Sequence, residues 1–180
     1  LVPRLAYVPY GLEIGGGEEN ARNQFNLPLQ QLAWAVFARS ARHRELVHRH
    51  CELGAAHVAV TGHPRLDPLR TLGALPPDAE FTAFARGRKI VFWNPQFDVR
   101  PDGSGYSTFM IWQQFLLEEF ARRPELAFVI RPPPLFFGTL ERRALWSAAQ
   151  VADFLARVEQ AGNVLIDRRS SYLPVFAAKA

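Results

Sequence analysis

Five short clusters in this 180-residue chain combine residue types that can handle a phosphate or a proton. In Thr61-Gly62-His63-Pro64-Arg65-Leu66-Asp67, glycine permits a sharp turn and proline fixes the next one, so Arg65 and Asp67 are presented together. Asp67 can alternatively cap a helix starting at Pro68. Arg131 precedes Pro132-Pro133-Pro134, which hold the backbone extended; its guanidinium can meet a phosphate at small ordering cost, or bond loop carbonyls. Asn94-Pro95-Gln96-Phe97-Asp98, with Asp102 beyond it, supplies carboxylates that can act as base or as turn acceptors. Asp167 with Ser170 and Ser171 can contact a ligand, or cap a helix from Tyr172. Tyr10-Gly11 opens a stretch continuing to Gly15-Gly16-Gly17, either an anion-approaching loop or a flexible connector.

Other chemistries lose support. The glycine stretch lacks the spaced glycines of a dinucleotide fingerprint and the Gly-Lys-Ser/Thr ending of a P-loop. His43, His48 and His50 are not spaced i, i+4, so a helical zinc pair is not expected; they read as a solvated basic face, and no metal or other cofactor is implied. Cys51, the single cysteine, reads as an inert core thiol in a reducing compartment. The net charge of +4 comes from arginine, since only Lys89 and Lys179 are lysines. Arginine suits bidentate phosphate or carboxylate recognition. No basic block is interleaved with aromatics, so nucleic acid is not an expected partner. The composition, 48% hydrophobic and 21% charged, is globular, and no apolar run reaches the roughly 18 residues of a spanning helix.

Strand ends must position these clusters. Leu5-Ala6-Tyr7-Val8 reads as a strand, followed by the glycine loop and a long helix from near Pro28 to Leu53 with Gly54 at its C′ position. His57-Val58-Ala59-Val60 is the next strand, and Leu72 to Gly87 reads as an interdomain connection carrying a small helix. Lys89–Trp93 is an apolar strand with both faces covered. A helix follows from about Thr108 to Arg122, with Phe109, Trp112, Leu116 and Phe120 as its buried stripe. Leu126–Ile130 is a strand; a helix after Ser147 carries the capping pair Ser147 and Gln150, turns Val151, Phe154, Leu155 and Val158 inward, and ends at Gly162. Val164-Leu165-Ile166 completes two successive β-α-β units, which demand right-handed crossovers and a parallel sheet. Ligands in such sheets bind beyond the carboxyl ends of the strands. The expected organisation is α/β, with residues 1–86 ending one domain and 87–180 opening a Rossmann-type one. The apolar opening and the uncapped close at Phe176–Ala180 suggest an internal piece of a longer chain.

In this order the clusters resemble the CDP-glycerol glycerophosphotransferases, enzymes of teichoic-acid-type and capsule-type polymer synthesis with a GT-B fold. Thr61 to Asp67 is similar to the family's Gly-x-Pro-Arg-x-Asp turn. Lys89 to Asp98 with Arg100 resembles its strand ending in Pro-Thr-x-Arg, and Ala127 to Pro134 its strand ending in Arg-Pro-His-Pro. Asn163 to Ala178 resembles the stretch before its Asp-x-Ser-Ser motif. The resemblance implies the tail of an acceptor-side domain followed by the first half of a donor-binding domain. It implies a nucleotide-activated donor, CDP-glycerol or a nucleotide sugar, and a polymer or lipid-linked acceptor. It also implies a cytoplasmic setting, with peripheral contact on the membrane face. Substrate binding would fall to Gly11, Gly62, Arg65, Asp67, Asn94, Arg131 and Ser170. In the implied reaction an acceptor hydroxyl attacks the β-phosphorus and CMP leaves, which requires a base and positive charge at the pyrophosphate. Where the family carries histidines this chain has Tyr10 and Pro133. The base would therefore be Tyr10, a weak one at neutral pH as a phenol, or Asp98. Two further readings stay open: a non-catalytic relative that binds nucleotide or glycan, and a UDP-sugar epimerase or glycosyltransferase of the same fold.

Overall fold

The computed structural model describes residues 4–11, 16–76, 78–102 and 105–177. Residues 12–15 of the glycine loop, Pro77, Gly103-Ser104 and the last three residues lie outside these. The chain divides into two compact units, Leu1–Thr71 and Leu72–Ala180.

The first unit is a parallel three-stranded sheet in the order β1 (Ala6–Tyr7), β2 (Ala35–Ala38), β3 (Val58–Val60). The expected long helix over Pro28–Leu53 does not form. That stretch is a short helix, then β2, then a second helix. Pro28–Leu32 (α2) follows α1 (Glu18–Phe25), and Ala41–His50 (α3) follows the strand. Ser40 separates strand from helix because its hydroxyl accepts the His43 amide, the usual N-cap arrangement. Val36 and Val58 are registered partners and share one core with Phe25, Val47 and Cys51. Cys51 is a buried free thiol, as its composition context implies. The basic face is not uniformly solvated. His43 lies against the Phe25 ring, 5.6 Å between centroids, and the His50 side chain is buried near Glu18 at 3.7 Å. Beyond β3, a run of 3-10 turns over Pro64–Ala74 is broken at Thr71. It starts at Pro64, three residues before Asp67, so Asp67 lies inside it and not at its cap.

The second unit is again parallel and sequential: β4 (Lys89–Trp93), β5 (Leu126–Ile130), β6 (Val164–Ile166). The register pairs Val91 with Phe128 and Phe128 with Val164, so alternate residues form two sets. Val91, Trp93, Phe128, Ile130, Val164 and Ile166 face the core shared with α5 (Phe109–Ala121), α6 (Phe136–Arg142) and α7 (Ala148–Ala161). Ile90, Phe92, Val129 and Leu165 face the other way, onto Phe81 and Phe84 of α4 (Ala79–Ala85) and Val175 of α8 (Leu173–Ala177). Both faces of the sheet are therefore covered. β5 is the central strand and its last four residues are buried; β4 lies at an edge and is only half-buried, short of the expected full burial.

α6 is an element the pattern after the three prolines does not announce. The stripe on α5 also shifts: Phe109 and Leu117 are buried, while Trp112 is 47% exposed and packs edge-on against Phe115. On α7 the Ser147–Gln150 capping box forms in both directions, and Gly162 closes the helix in the left-handed region.

Candidate functional site

Within each unit the strand ends place a different set of side chains. In the second unit the β5 and β6 ladders continue one step past their registers, as the Arg131 amide donates to the Trp93 carbonyl at 2.8 Å and Asp167 to that of Ile130 at 2.9 Å. Arg131 and Asp167 thus stand side by side, on the α4 face by the alternation of the strands. Arg131 Nη1 donates to Asp167 Oδ2 at 2.7 Å and to the Ser171 carbonyl at 2.8 Å, and Nη2 to the Arg169 carbonyl at 2.9 Å. The Asp167 side chain is 0% exposed. Arg169 completes the group: its amide and Nη1 both donate to Asp167 Oδ1 at 3.1 Å, and Nη2 reaches Glu80 at 2.8 Å. Burial presses the Arg169 pKa down, but its bond to Asp167 and the charges of Asp78, Glu80 and Asp167 outweigh that and raise it. This arrangement ties β5, β6, α4 and the loop before α8 together.

The loop after β4 carries Asn94, which is exposed, and Asp98. Arg100 Nε donates to Asp98 Oδ1 at 3.1 Å and its Nη2 lies 3.1 Å from Oδ2. The hydrogen bond to Asp98, then its charge, raises the Arg100 pKa. Arg143 also approaches Asp98, at 3.9 Å, and donates to the Val99 carbonyl. On the α6 side of the strand ends a cavity of about 500 Å³ is walled by Phe97, Pro133, Leu135 and Phe136, with Arg142 and Arg143 at its polar side. Arg131 does not line it. Ser170 is exposed, while the Ser171 hydroxyl accepts the Leu173 amide at 3.2 Å, just ahead of α8.

In the first unit, the Arg65 guanidinium lies over the Tyr10 ring, 5.2 Å from its centroid, bringing together residues from two of the predicted clusters. Tyr10 is 83% exposed. Gly62 has φ +85°, in the left-handed region where a Cβ is strained, so the sharp exit from β3 does require glycine. Gly62 and Asp67 share a cavity of about 370 Å³ with Arg39, Ser40, His43, His63 and Arg70, at the carboxyl ends of β2 and β3. A larger hollow of about 700 Å³ beside α3 carries Arg44, Glu45 and His48, all exposed, and is a surface groove.

Residue pattern alone does not single out Phe97, Arg142 and Arg143, or Ser40 and Arg70. The first set depends on α6, and the second on the break between β2 and α3. Among the described residues no cluster of histidine, cysteine or carboxylate side chains could hold a metal ion. None of their helices is long and apolar enough to cross a membrane.

The chain is a mixed α/β protein built on two small parallel three-stranded sheets, consistent with a Rossmann-like fold. No protein-family model matches it, and no curated protein matches it significantly.

Proposed function

We propose that this chain belongs to a nucleotide-dependent transferase of the CDP-glycerol glycerophosphotransferase type, with a GT-B architecture in which the second unit takes the donor. The observation that carries this reading is the cavity beyond β4 and β5. Phe97 and the proline wall offer a base a stacking surface, and Arg142 with Arg143 offers a pyrophosphate positive charge. The cavity lies where parallel α/β sheets receive ligands. Arg131 serves the framework in this reading, because its guanidinium is held by Asp167 and two loop carbonyls.

A second reading, a relative that binds nucleotide without turnover, draws on Pro133. It lines the cavity at the position where the family resemblance expects a histidine, and a proline ring can neither donate nor accept a proton. Asp98, the remaining base on this side, is engaged by Arg100.

Calorimetric titration of the 180-residue chain with CDP-glycerol tests both readings. Binding that weakens about tenfold in Phe97→Ala and in Arg142→Ala is the expected result. No binding of CDP-glycerol, CMP or a uridine nucleotide would sink both. Release of CMP with a polyol acceptor by a protein carrying both complete domains selects transfer; binding without release there selects the non-catalytic relative.

A further inference from the structure

The cavity at the carboxyl ends of β2 and β3 is a set of hydrogen-bond donors converging on the start of α3. His63 is 6% exposed and lines it. Its Nδ1 accepts the Arg65 amide at 3.2 Å, so the ring proton resides on Nε2. That Nε2 is buried and has no partner among the described residues. A buried donor without an acceptor is costly, and it indicates that an acceptor belongs there.

The wall opposite His63 is ordered by the bonds among Arg39, His43 and Ser40. Arg39 Nε lies 2.8 Å from His43 Nε2 and 3.2 Å from its Nδ1, and Nδ1 is 2.6 Å from Ser40 Oγ. Ser40 Oγ also accepts the His43 amide at 3.3 Å. Ser40, Arg39 and His43 therefore form one hydrogen-bonded group at the start of α3. α3 adds the positive end of its dipole and first-turn amides that have no carbonyl within the helix. Arg39 and Arg70 bring two guanidiniums to the same walls, against the one carboxylate of Asp67. The formal balance is thus positive, and the polar groups are mostly donors. Such a site selects a tetrahedral oxyanion.

We propose that this cavity binds a phosphoryl group, held by His63 Nε2, Arg70 and the start of α3. The proposal does not rest on the transferase reading, because every residue in it belongs to the first unit. It concerns phosphate chemistry as such, whether free phosphate, a monoester or a diester.

The test is an NMR titration of the 180-residue chain at constant ionic strength, following the imidazole resonances. Inorganic phosphate, methyl phosphate and dimethyl phosphate form the three arms, and the arm that binds most tightly identifies the source. The expected result is a saturable shift at His63 in at least one arm, without one at His48, which is exposed on the other groove. Arg70→Ala, at an exposed position, should weaken binding about tenfold by removing a charge-assisted contact. His63→Gln should keep binding within a few-fold, since its amide N–H can stand in for Nε2–H, whereas His63→Leu should lose most of it. If His63→Leu does not fold, Arg70→Ala and His63→Gln carry the comparison. Absence of a saturable shift in all three arms, equal shifts at His48, or binding unchanged in Arg70→Ala would each overturn the proposal. Because the readout is at His63, failure here leaves nucleotide binding by the second unit untouched, and the reverse also holds.

Discussion

Replacing Arg131 by methionine should destabilise the second unit severely, and by an amount that the geometry sets. Removing one partner of a buried ion pair typically costs about 3–5 kcal/mol, because the other charge is left uncompensated. Asp167 is fully buried, yet it would keep the Arg169 amide and Nη1 on Oδ1. The Ser171 and Arg169 carbonyls belong to half-exposed residues, where water can replace the guanidinium. The loss should therefore fall at the low end, about 3 kcal/mol. At roughly 4 °C per kcal/mol for a unit of this size, Tm should drop by about 12 °C. In an Asp167→Asn background the buried charge is gone, and Arg131→Met should cost only about 1 kcal/mol. Urea denaturation followed by tryptophan emission measures this, since Trp93 and Trp146 pack against the second unit's core. A loss below about 1 kcal/mol for Arg131→Met, or an equal loss in both backgrounds, would refute the reasoning. Arg131 would then not be holding the β5 and β6 ends together.

Three other outcomes are expected. Phe109→Ala should cost about 4 kcal/mol, because the 0% exposed ring contacts Trp93, Phe136, Phe137, Trp146 and Phe154; urea denaturation checks it. Gly105→Ala should disrupt the loop after β4, since a Cβ there would lie 2.0 Å from the Asp98 carbonyl oxygen; amide shifts of Asp98 to Ser107 beyond the immediate neighbours are the expected NMR signature. On α3, the bond to Arg42 and then its charge hold the Glu45 carboxyl below its usual range. A depressed carboxylate stabilises above its unfolded value and loses that contribution as pH falls through the folded one. The urea midpoints of wild type and Glu45→Gln should therefore converge on going from neutral to strongly acid pH, and a gap that widens would contradict the assignment.

The second unit's sheet was legible because each strand is a contiguous apolar run and the helices between them carry strong end signals, such as Ser147 with Gln150 and Gly162. The first unit resisted for the opposite reason. Leu32, Ala35, Val36, Val47 and Cys51 keep a helical spacing by accident across a four-residue strand that no glycine or proline interrupts. Only Ser40 marks the break, and a lone serine is a weak signal. α6 was hidden because Gly138 lies inside it and three prolines precede it. Trp112 has the right period for a core position, yet it stays 47% exposed and packs on Phe115 of its own helix. Of the candidate sites, the loops were indicated by strand order. Which way Arg131 points was not, because that follows from the parity of β5 and from Asp167 buried beside it. The orphaned Nε2 of His63 likewise depends on a turn conformation that residue types do not encode.

Both sheets run in the order of the chain, so each strand's neighbour is the one just made or the one about to be made. Forming either sheet requires closing only one crossover at a time, and no pairing waits for a distant segment. Each pairing still joins residues 22 to 37 positions apart, so a crossover must close before its strands pair, and a parallel sheet forms more slowly than a hairpin. On a ribosome, β1 with β2 and then β4 with β5 can pair while the rest of the chain is still being synthesised. The same topology leaves neither three-stranded sheet with a reversal of strand direction around which it must be completed in one step, so assembly can proceed outward from whichever pair forms first.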